Sequence, residues 1–148
     1  MSRDLVRPDR EPFIALVEKA ARVLRADMLE SAHRAGFTEV VAAHNAVFAT
    51  LPPEGARAAD MAARAGITRQ SMGEVVRDMV RLGMLAMVPD PVDRRAKVVT
   101  YTDYGTRVAQ AGMDHIVALD RQLREELGDE DYDAARRVLL RVRERLTP

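Results

Sequence analysis

Cysteine and tryptophan are absent from this 148-residue chain, only three Phe and three Tyr are present, and 23 acidic residues cancel 23 basic ones. Without thiols there is no disulfide, no thiolate nucleophile, no Cys-ligated zinc and no thiol redox sensing, so any switch has to use another chemistry. Zero net charge argues at first against a nucleic-acid partner, because phosphate affinity comes from uncompensated Lys and Arg. A long apolar run is missing too. The longest uncharged stretch, Val40 to Pro53, has 14 residues and includes His44, Asn45 and two prolines, short of the roughly 20 apolar residues of a membrane span. Residues 1–12 (MSRDLVRPDREP) are densely charged with no apolar run behind them and do not read as a signal peptide. The expectation is a cytoplasmic protein without a membrane partner.

What is present suits a single soluble domain over 1–148, with 47% hydrophobic and 31% charged residues and enough length for one sizeable core. From Pro12 to Ala35 apolar residues recur at helical spacing (Phe13, Leu16, Val17, Ala20, Leu24, Met28, Ala32), and Gly36 ends the run. Thr38 is placed to cap a second helix through Val47 and Leu51, which Pro52 and Pro53 terminate. A short helix over 57–66, the turn Gly66-Ile67-Thr68 and a helix from Arg69 to about Leu82 make a helix-turn-helix. The period then changes. Met84 to Val88 and Val98 to Thr102 are β-prone runs around a polar turn holding Pro89 and Pro91, and together they read as a hairpin with a charged tip. Tyr104-Gly105 opens a long helix to Leu127, Gly128 ends it, and Asp129 is placed to cap a last helix through Leu146.

The order α-α-(β)-α-α-β-β-α-α is mainly α with a small β-hairpin wing. Residues 56–102 form a winged helix-turn-helix unit, a fold that lays its second helix in the DNA major groove. Along that helix Met72, Val75, Val76, Met79 and Leu82 take one face, whereas Arg69, Gln70, Glu74, Arg77 and Arg81 lie mainly on the other. Arg matches guanine O6/N7 and Gln matches adenine N6/N7 with paired hydrogen bonds, and Arg69 and Gln70 stand in the first turn, where base edges are met. Thr68 is suited to cap the helix and, with Ser71, to donate to phosphate. Gly73 admits two readings, close approach to a duplex or to a neighbouring element. A solvated amphipathic helix would show one polar face as well, so the local charge has to decide. Residues 56–97 hold eight basic and five acidic residues, +3, against 15 and 18 elsewhere, −3. The neutral total therefore conceals positive charge on the candidate DNA-binding unit, to which Arg57 also belongs.

Three stretches resemble the multiple-antibiotic-resistance regulator (MarR) family of winged-helix transcription factors: Gly55 to Gly66 (GARAADMAARAG), Ile67 to Val76 (ITRQSMGEVV), and Asp90 to Lys97 (DPVDRRAK) with Tyr101 to Gly105 (YTDYG). The last is the most specific, because the family wing typically reads Asp-Pro-x-Asp-x-Arg, a strand, then Leu-Thr-x-x-Gly, and Tyr101 in the Leu position is the one departure there. The resemblance implies a homodimeric regulator, usually a repressor, on a pseudo-palindromic operator of double-stranded DNA. Residues 1–35 and 103–148 would supply its dimerisation helices. It further implies that Arg95 enters the minor groove, that Asp93 braces it through an ion pair and that Arg94 lies near phosphate. A narrow minor groove does concentrate negative potential that attracts guanidinium groups. Glu74 departs from the basic or small polar residue common in relatives. It is able to accept from cytosine N4, to pair with Arg77 or Arg81, or to repel phosphate.

Leu5 and Phe13 at one end, and Val138, Leu139, Val142 and Leu146 at the other, form stripes that suit a dimer or the chain's own core. The resemblance also implies a pocket for a small-molecule effector between the dimerisation helices and the winged unit, as is common in the family. His44 and Asn45, interrupting the apolar second helix, read either as satisfied core polar groups or as ligand contacts. His33, His44 and His115 fall on three helices without ligand spacing, so no metal is expected, and the run Asp129-Glu130-Asp131 fits a helix start better than a calcium loop. No phosphate-binding Gly loop, nucleophile elbow or His-Glu metal motif is present, so neither catalysis nor a cofactor is expected. The competing class is a winged-helix module, or anti-repressor, that binds protein and no operator.

Overall fold

The computed structural model describes residues 8–147. Its first helix, α1, runs Phe13–Arg34, with Pro12 extended before it; a proline there gives up an N–H that no helical carbonyl would accept. Leu5 lies outside the described residues.

The second helix is shorter than its apolar pattern predicts. A 3-10 turn, Ala42–His44, leads into α2, Asn45–Phe48, and Val41 is still extended. Thr38 caps nothing: the Val40 N–H bonds back to Phe37, and the Val40 carbonyl accepts from His33 Nε2 at 2.8 Å. Helix starts only at Ala42, because the Val41 N–H donates to His44 Nδ1 at 3.3 Å. A buried imidazole thus sets the boundary that a hydroxyl was expected to set.

The helix-turn-helix follows the predicted spans closely. Helix α3, Ala58–Ala65, ends on Gly66 at φ +67°, and α4, Arg69–Arg81, starts under Thr68, whose Oγ1 accepts the Ser71 N–H at 3.0 Å. Strands β1, Leu85–Pro89, and β2, Lys97–Tyr101, pair antiparallel with Met87 opposite Val99, each one residue nearer the tip, or farther from the helix, than the apolar runs alone suggest. The anticipated extra strand is reduced to a single antiparallel bridge between Ala56 and Val99, with N–H to carbonyl distances of 3.0 and 2.8 Å.

Helix α5, Asp103–Leu127, is capped by Thr102, which accepts from the Gly105 N–H. A Cβ on Gly105 would stand 1.8 Å from the Met84 carbonyl oxygen, so only glycine lets α5 leave the hairpin at this angle. Helix α6, Asp129–Leu146, is capped by Gly128; Asp129 is its first residue. The Asp129 carboxylate accepts from Arg124 at 3.0 Å, so it is not available to the helix amides.

The core lies under the winged unit. Met61, Met72, Met79, Met84, Val47 and Val99 are fully buried, and the unbranched methionines fill the irregular space between short elements. In contrast, α1 and α6 bury no residue completely, and Phe13, Leu16, Val138 and Leu139 are each about half exposed. None of the helices in the described residues is long and apolar enough to cross a membrane.

Candidate DNA-binding surface

Helix α4 turns Met72, Val76 and Met79 inward and leaves Arg69, Gln70, Ser71, Glu74 and Arg77 exposed. The predicted division of its faces is thus realised. Thr68 caps the helix and also donates to Ser71 Oγ at 2.9 Å. Gly73 faces no other element: an added Cβ would meet only Arg77 Nη1, at 3.2 Å. Close packing of a neighbouring element therefore does not explain it. Glu74 pairs with neither of the arginines considered for it. Its Oε1 accepts from Gln70 Nε2 at 3.3 Å, while Arg81 donates to Asp78 at 2.6 Å.

The wing is organised by two aspartates. Asp90, almost wholly buried at the foot of the loop, accepts the Val92 N–H on Oδ1 at 2.8 Å and, more weakly, the Asp93 N–H at 3.4 Å. Its Oδ2 takes Arg57 Nε at 2.8 Å and Nη2 at 2.6 Å. The Val92 amide, then the Arg57 guanidinium, hold the Asp90 carboxyl below its ordinary range. Asp93 repeats the device nearer the tip, where its Oδ1 accepts the Arg95 N–H at 3.1 Å and its carbonyl accepts from Ala96. Aspartates that bond the amide two residues on make compact turns, so the spacing in Asp-Pro-x-Asp is a folding instruction for the loop.

Two expectations are corrected here. Asp93 braces Arg95 through the backbone N–H and makes no ion pair with its guanidinium among the described residues. Arg57 is placed away from any free role, since its guanidinium is engaged by Asp90 and fastens the start of α3 to the wing. Arg94 and Arg95 are exposed at the tip, beside a nearly fully exposed Val92. Among the described residues Arg69, Arg77, Arg94 and Arg95 enter no ion pair, whereas Asp78 and Asp90 are both satisfied from within. The +3 of the sequence is therefore concentrated on the outward side chains of α4 and the wing.

His44 and Asn45 separate. His44 is 1% exposed and uses both ring nitrogens. Nδ1 accepts from Val41, so the proton sits on Nε2, which donates to Asp78 Oδ2 at 2.8 Å. That hydrogen bond, then the one from Arg81, holds the Asp78 carboxyl below its ordinary range. His44 is thus a satisfied core histidine that ties the turn before α2 to the middle of α4. Asn45 is exposed and lines an open groove of about 530 Å³ together with Arg25, Ala46, Arg64 and Ile67. Arg64 is held over the groove by donating to the Thr50 carbonyl at 3.2 Å. Tyr101, the departure in the wing motif, stacks on Phe48 with ring centroids 6.4 Å apart, and burial pushes its hydroxyl up to about 12. Its extra ring fills the join between hairpin and α2.

The pairings Arg57–Asp90, His44–Asp78, Gln70–Glu74 and, between α1 and α5, Asp27–His115 at 2.6 Å are functional or structural contacts that residue-by-residue reading does not reach. Only Gln70–Glu74, at helical spacing of four, carries a sequence signal for its partner.

Among protein families, the model described as MarR family matches residues 44–96, which run from the buried histidine to the last residue of the wing loop. None of the curated protein sequences gives a significant match. Solved structures do. A MarR family transcription regulator superposes with a TM-score of 0.75 at 19% identity, over 88% of this chain and 85% of that one. The transcriptional repressor CouR, bound to a 23-mer DNA duplex, gives 0.71 at 20% identity over 88% and 92%. The PcaV regulator of Streptomyces coelicolor, in complex with its natural ligand, gives 0.62 at 23% over 93% and 98%. At these identities the likeness is one of fold, and it extends across the flanking helices as well as the winged unit.

Proposed function

We propose that this chain, whose residues 44–96 match the MarR family model, is a sequence-specific DNA-binding transcriptional regulator, a repressor acting as a homodimer on a pseudo-palindromic operator. The observation that carries the reading is the distribution of charge: Arg69 and Arg77 on α4 and Arg94 and Arg95 at the wing tip enter no ion pair among the described residues, while Asp78 and Asp90 are satisfied internally. Such an arrangement leaves Arg69 and Gln70 for base edges and Arg94 for phosphate, with Arg95 for the minor groove and Thr68 and Ser71 at the helix start. Arg57 and Asp93 serve the same surface indirectly, by holding the wing. With only Arg77 beside it, Gly73 leaves room for the duplex.

The exposed apolar faces of α1, α5 and α6 support dimerisation through those helices. A small-molecule effector fits the groove bearing Asn45, Arg25 and Arg64. Its volume lies within the roughly 300–1,000 Å³ of ligand sites, and it touches both α2 and the turn before α4.

The deciding experiment is selection of bound sequences from random DNA, followed by salt-dependent binding of R69A and R95A. A two-fold symmetric site, with affinity lost in both variants and the fold intact, supports the regulator. Unchanged affinity of both for any DNA would leave a protein-binding module as the better reading.

A further inference from the structure

A carboxylate on the outward face of a DNA-reading helix works against the phosphate attraction that binds the helix, so Glu74 has to be explained by something other than affinity. It is not neutralised by a cation. Arg81 is committed to Asp78, and the Arg77 guanidinium lies back over Gly73. Its recorded partner is the Gln70 amide nitrogen, one turn nearer the helix start. Long helical side chains lean toward the N-terminus, so residue 74 naturally reaches residue 70. The contact settles the orientation of the Gln70 amide, because a carboxylate oxygen accepts only and must face nitrogen.

Resting on the DNA-binding reading above, we propose that Gln70 and Glu74 act as one reading unit. Glu74 takes one amide hydrogen of Gln70 and thereby fixes the other hydrogen and Oε1 as the donor and acceptor that adenine N7 and N6 require. The second carboxylate oxygen of Glu74 is left to accept from the amino group of cytosine on a neighbouring base pair, and it repels guanine, whose O6 and N7 are both acceptors. Glu74 is thus a specificity-determining residue in its own right and a positioning residue for Gln70. The charge that lowers affinity for every sequence lowers it least for the one that places these donors correctly.

The test uses the full-length protein and its selected site, with every single-base-pair variant measured by fluorescence anisotropy for wild type, Q70A, E74A, E74Q and Q70A/E74A. Q70A identifies the base pair that Gln70 reads, as the one whose roughly 5- to 150-fold preference, the usual range for a bidentate contact, collapses. E74A should flatten preference at that same base pair, with no further loss in the double variant, although both side chains are exposed and the thermal midpoint stays unchanged. E74Q retains a carbonyl for Gln70, so adenine preference stays within about two-fold of wild type, while cytosine preference on the neighbouring pair is lost. Unaltered preference at Gln70's base pair in E74A, with or without a uniform gain in affinity, would overturn the proposal while leaving operator binding in place. A wild-type protein that selects no sequence would overturn the DNA-binding reading and the proposal with it.

Discussion

Arg57 and Asp90 meet at the foot of the wing with two guanidinium nitrogens on one carboxylate oxygen, at 2.8 and 2.6 Å. The other oxygen of Asp90 is occupied by the loop's own amides. One buried carboxylate thus sets the shape of the loop and its attachment to the start of α3. D90A should leave helical content intact, speed amide exchange at Val92 and Asp93, and weaken DNA binding without altering the preferred sequence. R57K should restore little, because an ammonium cannot reproduce the paired donation. Unchanged exchange in D90A would show that the loop keeps its shape by other means.

Acid should loosen the molecule through two known points. Asp78 and Asp90 both titrate below their ordinary value of 3.8 in the folded chain, so their stabilising contribution is complete above that value and drains as pH falls through the depressed ones. Urea midpoints should therefore decline as pH falls below about 4. D78N and D90N should each show a shallower decline than wild type, and equal slopes in all three proteins would remove these carboxylates as the cause.

Two glycines should respond to alanine in opposite directions. G105A drives a Cβ into the Met84 carbonyl and should cost about 3 kcal/mol or more, as overpacking at rigid backbone does. G73A meets only the movable end of Arg77 and should stabilise the helix by about 0.5–1 kcal/mol while weakening DNA binding. Thermal unfolding and anisotropy measure the two effects separately.

H44A removes a fully buried ring and leaves the Val41 N–H without its partner, a combination expected to cost about 3 kcal/mol. The glutamine variant should recover part of this through Asp78, and chemical denaturation of the three proteins decides it.

Because α6 buries no residue of its own completely, charge can be placed there without disturbing the core. L139E should convert the proposed homodimer to a folded monomer at micromolar concentration in sedimentation, with DNA affinity reduced. A wild-type monomer under those conditions would count against dimerisation through these helices.

Periodicity was sufficient where an apolar repeat is bounded by local stop and start residues: α1, α3, α4 and the two long helices after the wing keep their anticipated spans to within a residue or two. It was insufficient between Thr38 and Phe48, where the apolar pattern suggested one continuous helix. There the start is decided by His44, a side chain that reaches back to Val41 and across to Asp78 on another element, and no local window contains both partners. The same limit separates Arg57 from its partner. As one Arg in a basic segment it looked ready for DNA, and only the fold brings Asp90 against it. The form of the wing, by contrast, was legible, since Asp90 and Asp93 act on amides two residues away.

The single bridge between Ala56 and Val99 closes the chain on itself, joining the point where it enters α3 to the returning strand of the hairpin. Everything between those residues, helix-turn-helix and wing alike, is a loop fastened at its neck. In the proposed homodimer, motion imposed on α1 or α2 would tilt the whole loop as one body, and a signal would be written in the separation of two such bodies and hardly at all in the internal shape of either.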